Sequence, residues 1–216
     1  MEAYKQEFIS FMMRTGVLTF GDFTLKSGRR SPYFINTGKY RTGEQLTKLG
    51  QAYARCLHNT VGSNFDLLFG PAYKGIPLAA LTCASLYREY GLDRAYFFNR
   101  KEVKDHGEGG SFVGAVPADG DRVVIVEDVI TAGTAVRETV PLLRAAADVK
   151  IEHMIISVDR MERAQNGLSA VQEVKESFGI TVHPIVTVRE IIEHIRQLGD
   201  GKTASRMEAY LEQYCV

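Results

Sequence analysis

The feature that most constrains the fold is a run of four β-branched apolar residues that two acids follow directly. The run covers residues 123–126, and Glu127 and Asp128 come next. A strand that is apolar on both faces suits the interior of a parallel sheet, which helices cover on both sides. Ligands of open α/β sheets bind outside the carboxyl ends of the strands. The sequence therefore predicts an α/β fold with a ligand site beside these two acids.

A turn of small residues, 131–135, comes shortly after the acids and leads into a helical pattern. Gly133 permits backbone angles that other residues avoid, and successive amides ahead of a helix bind phosphate well. The two carboxylates would repel that phosphate, but they suit the hydroxyls of a ribose or a Mg²⁺ shell. The combination predicts a ribose 5-phosphate site. The alternative is an ordinary strand followed by a capped helix, which needs only one acid or hydroxyl.

Further strands and helices follow from hydrophobic periodicity. Helices are predicted at 2–14, 43–59, 76–90, 133–147 and 168–177, and strands at 65–70, 95–100, 151–158 and 181–188. Pro141 predicts a kink or a restart within its helix, and Pro184 predicts an edge strand because proline cannot donate to a sheet ladder. We expect about five mainly parallel strands flanked by helices.

Two cations stand where predicted strands end. Lys74 lies in a glycine-rich loop after the strand at 65–70 and can meet a pyrophosphate oxygen as a mobile point charge. Arg160 follows the strand at 151–158 and is suited to bind a substrate carboxylate through two hydrogen bonds. The alternative for Arg160 is a surface ion pair with Asp159. His153, in the middle of a strand, is interpreted as a core residue.

The segment 101–110 is polar and rich in glycine, with two lysines in its first half. Its composition also fits a disordered surface loop. Because it lies beside the predicted anion site, however, we interpret it as a lid that closes over a bound ligand.

Composition excludes several classes of protein. The chain has 216 residues, enough for one sizeable core, and its 26 basic and 26 acidic residues balance, so bulk charge gives no reason to expect a nucleic-acid partner. Its three cysteines form no CxxC or zinc pattern and indicate reduced thiols in a cytoplasmic protein. The N-terminal segment is too polar for a secretory signal, and no apolar run approaches a membrane span.

Several motifs together resemble the orotate phosphoribosyltransferases, which are type I phosphoribosyltransferases. The segment 123–135 resembles the binding motif for 5-phosphoribosyl 1-diphosphate (PRPP) in that fold. The other motifs are F-T-L-K-S-G-R-R-S-P-Y-F at 23–34, F-G-P-A-Y-K-G-I-P at 69–77, K-E-V-K-D-H-G-E-G-G at 101–110 and D-R-M-E-R at 159–163. The resemblance covers nearly the whole chain.

This resemblance implies one type I phosphoribosyltransferase-like domain over residues 1–216. Its mainly parallel five-stranded sheet would occupy residues 61–190. Residues 1–60 would form most of a small hood subdomain, and residues 191–216 would form C-terminal helices. The implied activity transfers ribose 5-phosphate from PRPP to orotate, giving orotidine 5′-monophosphate and pyrophosphate in pyrimidine biosynthesis. The implied cofactor is Mg²⁺, held mainly by PRPP and water. The implied partner is a second copy of the chain, with loop 100–110 shared across the homodimer interface.

The resemblance also implies the site residues. Lys26, Lys104 and His106 would be catalytic, although the residue pattern alone leaves open the alternative that Lys26 is a solvated turn cation. Orotate would contact Lys26, Thr131, Arg160 and the backbone of Phe34 and Ile35. PRPP would contact Lys26, Tyr73, Lys74, Arg100, Lys101, Lys104, His106, Glu127, Asp128, Val129, Ile130, Thr131, Ala132, Gly133, Thr134 and Ala135.

Two other functions compete with this interpretation. A phosphoribosyltransferase for a different base would keep the segment 123–135 but would not need Arg160 or the motif around Lys26. A regulatory protein that senses PRPP would need a surface for DNA or RNA, and the balanced charge argues against one. Base competition and nucleic-acid binding at low salt separate these alternatives.

Overall fold

A computed structural model describes residues 1–25, 27–101, 111–130, 134–164 and 166–216. The helices are α1 (Ala3–Arg14), α2 (Gly43–Thr60), α3 (Gly75–Tyr90), α4 (Thr134–Ala146), α5 (Ala170–Phe178), α6 (Val188–Gln197) and α7 (Gly201–Tyr214). The strands are β1 (Leu18–Thr24), β2 (Arg30–Ile35), β3 (Leu67–Phe69), β4 (Ala95–Asn99), β5 (Phe112–Gly114), β6 (Arg122–Val126), β7 (Lys150–Asp159) and β8 (Thr181–Thr187).

The central sheet has six strands in the order β5-β4-β3-β6-β7-β8. Five of them run parallel, as the sequence predicts, and β5 pairs antiparallel with β4 at one edge. Strand β5 was not predicted, because its three residues are too few to show a period. Pro184 lies in β8, the opposite edge strand, which confirms that prediction.

Residues 123–126 are buried on both faces of the sheet, and this confirms the interpretation of the β-branched run. Val124 and Val126 face a core formed with α1, α2, α3, α6 and α7. Val123 and Ile125 face a second core formed with α4 and α5. Helices therefore cover both sides of the sheet. Because both faces are covered, a polar ligand site can lie only at the strand ends.

Capping explains where several helices begin. Helices α2, α5 and α6 each start with a capping box, in which a Ser or Thr side chain accepts from the third helical N–H and a Gln or Glu side chain reaches back. Helix α4 continues through Pro141 to Ala146 without restarting. None of the helices among the described residues has the length and apolar character needed to cross a membrane.

Strands β1 and β2 form a separate antiparallel hairpin near the N-terminus. Helix α7 packs against β2, and the ring of Tyr210 meets that of the fully buried Tyr33 edge to face, with 5.9 Å between ring centres. The hairpin is the part of the predicted hood that stands apart from the central sheet. The division of the chain at residues 60 and 190 stays a prediction.

Candidate active site

The strand order of the sheet reverses between β3 and β6. From β3 the chain runs outward to β4, and from β6 it runs outward the other way to β7 and β8. At such a switch point the loops that follow the two strands diverge and leave a crevice in which ligands bind. The loop 70–75 comes from β3, and Glu127 and Asp128 come from β6, so the predicted residues flank one crevice.

Asp128 is the most highly connected side chain in this crevice. Its Oδ2 accepts hydrogen bonds from Lys74 Nζ and Thr37 Oγ1, both at 2.8 Å, and its Oδ1 accepts from the Val129 N–H at 2.7 Å. Burial raises the pKa of the Asp128 carboxyl, but the donors outweigh burial and hold that pKa below its usual range. Asp128 is therefore ionised, with Lys74 as its counter-ion.

Glu127 lies beside Asp128 but behaves in the opposite way. Its side chain is buried, and Oε1 accepts from the Asp128 N–H at 2.9 Å. Burial above all, together with the negative charge of Asp128, raises the pKa of the Glu127 carboxyl above its usual range. One ionised and one readily protonated carboxyl can both accept and donate hydrogen bonds, which suits a pair of ribose hydroxyls.

Backbone contacts fix the two acids beyond the end of β6. The Glu127 N–H donates to the Ile155 carbonyl at 3.0 Å, and Ser157 donates to the Asp128 carbonyl through both its N–H (2.8 Å) and its Oγ (2.6 Å). The Tyr53 hydroxyl donates to the Glu127 carbonyl at 2.8 Å. The sheet ladder thus continues through the acids and holds them rigidly.

Sequence reasoning missed three supporting side chains: Thr37, Tyr53 and Ser157. Ser157 gave a signal, because it is a lone hydroxyl in an otherwise apolar strand end. Tyr53 looked like an ordinary core residue at helical spacing, and Thr37 lies in a short 3-10 helix outside any predicted element.

Two glycines place Lys74 opposite Asp128. A Cβ at Gly70 would lie 2.2 Å from the Gly75 carbonyl oxygen, and one at Gly75 would lie 2.9 Å from the Val126 carbonyl oxygen. Only glycine allows the loop to pack this closely on the end of β6. The Ala72 N–H also donates to Asn99 Oδ1 at the end of β4, at 2.9 Å.

The residues that flank the predicted lid lie near the same loop. Tyr73 is exposed, and Lys101 Nζ lies 5.1 Å from the centre of its ring. The Arg100 N–H donates to the Ser111 carbonyl at 2.8 Å, so the two ends of the loop meet as a pair. Val129 and Ile130 continue from the acids. The predicted site residues Lys26, Lys104, His106, Thr131, Ala132 and Gly133 lie outside the described residues, and Thr134 and Ala135 begin α4.

Arg160 lies at the end of β7, and the alternative of a surface pair with Asp159 is wrong. Its Nε and Nη2 donate to Glu162 Oε1 at 2.9 and 2.5 Å, and its guanidinium carbon lies 4.5 Å from the centre of the Tyr33 ring. Asp159 instead accepts from the Met161 N–H at 2.8 Å. Burial lets the guanidinium meet a ligand away from bulk water.

The hairpin residues are also placed. Phe34 and Ile35 end β2, and the exposed Phe34 ring stacks on Phe23 with 5.5 Å between ring centres. His153 is partly buried, and its Nδ1 lies 3.1 Å from His183 Nε2 on the neighbouring strand, so it has a partner within the sheet as predicted for a core residue.

Comparisons with known proteins agree with this geometry. Residues 36–184 match the family model of the phosphoribosyl transferase domain. The chain is 51% identical to an orotate phosphoribosyltransferase of Lachnoclostridium phytofermentans over 100% of its own length and 99% of the relative's. It is 52% identical to one of Clostridium acetobutylicum over 100% of both chains. The crystal structure of orotate phosphoribosyltransferase from Francisella tularensis is 38% identical, with a TM-score of 0.87 over 97% of this chain and 96% of that one.

Proposed function

The chain belongs to the orotate phosphoribosyltransferases of the type I phosphoribosyltransferase family, and from that membership we propose how its residues share the reaction. The enzyme transfers the 5-phosphoribosyl group of PRPP to orotate, which yields orotidine 5′-monophosphate (OMP) and pyrophosphate for pyrimidine biosynthesis. The observation that carries the assignment to these residues is the acidic pair facing Lys74 across the switch point of the sheet.

The reaction sets clear demands on the site. A ring nitrogen of orotate bonds to the anomeric carbon of ribose as the bond from that carbon to pyrophosphate breaks, so positive charge builds on the sugar. The site must hold both reactants in line, neutralise the leaving group and exclude water, which would hydrolyse PRPP. Rigid acids beside the sugar and cations around the leaving group would meet these demands.

Glu127 and Asp128 are proposed to bind the ribose hydroxyls and to keep negative charge near the developing cation. Residues 131–135 are proposed to bind the 5′-phosphate through amides and hydroxyls, and Val129 and Ile130 connect the two parts. The support is the fixed position of the acids at the end of β6 and the start of α4 directly after this turn.

Lys74 and Tyr73 are proposed to bind pyrophosphate. Lys74 is about two-thirds exposed and pairs with Asp128. A pyrophosphate carries more charge than one carboxylate, so it attracts the lysine away and leaves Asp128 Oδ2 open to a ribose hydroxyl. Binding of PRPP would thus exchange one ion pair for two new contacts.

Arg160 is proposed to bind the carboxylate of orotate, with Thr131 and the backbone of Phe34 and Ile35 orienting the ring. A carboxylate is what distinguishes orotate from the other common pyrimidine bases. The support is a buried guanidinium at the end of β7, next to the acids at the end of β6.

Lys26, Lys104 and His106 are proposed as catalytic groups, and Arg100 and Lys101 as further ligands of pyrophosphate. The loop 100–110 is proposed to close over the site, from either subunit of a homodimer. Its support is the position of Lys101 beside Tyr73 of the proposed pyrophosphate loop. We also propose that the enzyme works in the cytoplasm, in line with its three free cysteines.

Mg²⁺ is the proposed cofactor. Among the residues that the structure describes, no three His, Cys, Asp or Glu side chains converge on one point, and the crevice offers two carboxylates. Such a site fits an ion that PRPP oxygens and water hold, with Asp128 and Glu127 within its surroundings. When bound, the ion offsets the charge of the leaving pyrophosphate.

The test is an assay of orotate absorbance with PRPP and Mg²⁺, with uracil, hypoxanthine and adenine in parallel. We expect loss of orotate and formation of OMP and pyrophosphate, with no turnover of the other bases. Turnover of another base instead would overturn the role of Arg160 and keep the ribose-phosphate site.

A further inference from the structure

The turn that carries Arg160 is held by a cluster of side chains from three separate parts of the chain. We propose that Glu162 is a positioning residue, which presents the Arg160 guanidinium to the substrate carboxylate and so sets the preference for a carboxylated pyrimidine. This inference rests on the proposed role of Arg160 and adds the group on which that role depends.

Glu162 binds one edge of the guanidinium and leaves the other open. Both Nε and Nη2 of Arg160 donate to Glu162 Oε1. Among the described residues Nη1 has no hydrogen-bond partner, so the end of the fork is available to a carboxylate. The Tyr33 ring packs against the flat face at 4.5 Å and restricts rotation of the plane.

Glu162 is itself held in place. The Tyr210 hydroxyl donates to Glu162 Oε1 at 2.7 Å, and Arg29 Nη1 lies 3.9 Å from Oε2. Tyr210 comes from α7 and Arg29 from the hairpin turn. The two elements therefore meet on one carboxylate.

Main-chain contacts with the end of α7 fix the turn as well. Glu162 forms an isolated β-bridge with Cys215, and the Arg163 N–H donates to the Tyr214 carbonyl at 2.8 Å. The Val216 N–H donates to the Met161 carbonyl at 3.0 Å. These contacts fix the backbone of the turn, and they therefore fix the point from which the Glu162 side chain reaches Arg160.

The charges of the cluster also match the ligand. Arg160 and Arg29 both lie near the single carboxylate of Glu162, so Glu162 does not neutralise both guanidinium groups. Without the Glu162 charge, Arg160 loses its counter-ion, and the hydrogen bonds that orient its guanidinium become weaker. A poorly oriented fork forms one hydrogen bond to a carboxylate where an oriented one forms two.

Glu162 could instead compete with the substrate for Arg160. The geometry argues against competition, because Glu162 occupies the Nε edge and is anchored there by Tyr210. The two roles predict opposite changes in affinity, since removing a competitor tightens substrate binding and removing a positioning group weakens it.

The test compares dissociation constants of OMP and uridine 5′-monophosphate (UMP), which differ only in the carboxylate. They are measured by calorimetry on the wild type, Glu162→Gln and Tyr210→Phe. Glu208→Gln is the matched control, because it removes the charge of an Arg–Glu pair between α6 and α7, away from the cluster. We expect Glu162→Gln to weaken OMP about tenfold, the size of one lost charge-assisted hydrogen bond, and to leave UMP unchanged. Tyr210→Phe should shift OMP in the same direction by less, and the control should shift neither.

Three outcomes overturn the proposal. Equal weakening of OMP and UMP by Glu162→Gln would show a role in stability alone, and tighter OMP binding would show competition. An unchanged preference for OMP in both cluster variants would remove Glu162 from recognition while keeping Arg160. By contrast, a wild type that binds OMP no more tightly than UMP would overturn the proposed function itself.

Discussion

Two charged groups at neighbouring strand ends are built in opposite ways. The acids after β6 are fixed by the sheet ladder and by hydrogen bonds to their own backbone. Arg160 after β7 is held by Glu162 of its own turn, and side chains of the hairpin and of α7 in turn hold this pair. The comparison teaches that a fold can hold one part of a site mainly through its sheet and another mainly through side chains that lie far apart in the sequence.

The acidic site should show the largest effect. Asp128→Asn keeps the shape but removes the charge that Lys74 and Thr37 hold. Because we propose that this charge lies beside the reacting sugar, kcat/KM should fall on the order of 10²–10³-fold, as for other preorganised groups. Steady-state assays check this.

Asp66→Asn is the control for that variant. Asp66 pairs with Arg122 where β6 begins, so its loss should affect unfolding and leave turnover as it was. Similar losses of turnover in both variants would contradict the importance of the switch-point crevice.

Arg160→Lys should have the next largest effect. Lysine keeps the charge but cannot offer a planar fork that Glu162 orients on one edge. We expect the KM for orotate to rise roughly tenfold to a hundredfold while the KM for PRPP stays near its wild-type value. A rise in both constants would show that the two parts of the site do not act separately.

The pKa of Glu127 gives a prediction on stability. The folded state raises this pKa, so folding favours the protonated carboxyl. Its contribution to the unfolding free energy is complete at pH values below the usual carboxyl pKa range. It is lost as pH rises from that range through the raised pKa. The wild type should therefore lose unfolding free energy between pH 4 and pH 8. In Glu127→Gln this loss should be smaller by on the order of 1 kcal/mol. Urea unfolding of both proteins at the two pH values measures this. An equal change of unfolding free energy with pH in both proteins would contradict the prediction.

Tyr53→Phe should give the smallest effect. It removes the hydroxyl that satisfies the buried Glu127 carbonyl, which should cost about 1 kcal/mol of unfolding free energy with little change in kcat. Tyr87→Phe is the control, because Tyr87 is exposed. Thermal or urea unfolding of Tyr53→Phe and Tyr87→Phe tests this prediction. Equal stabilities of the two variants would show that the sheet ladder alone holds the acids.

The same difference explains what the sequence could predict. The β-branched run, the acids and the glycine loop are local patterns with a local physical cause. The parallel sheet, the crevice and the place of Lys74 in it could therefore be predicted from them. Strand β5 was too short to leave a pattern. The aromatic contacts of Arg160 and Glu162 could not be predicted, because Tyr33 and Tyr210 look like core aromatics until the hairpin meets α7.

The affinity ratio of OMP to UMP, measured in Asp128→Asn and in Arg160→Lys, tests the division of the site most directly. Our account predicts that Asp128→Asn weakens both nucleotides by the same factor, because it acts on the shared ribose. Arg160→Lys should instead bring the ratio close to one, because it acts on the carboxylate alone. A ratio that falls in Asp128→Asn, or that survives in Arg160→Lys, would contradict the account.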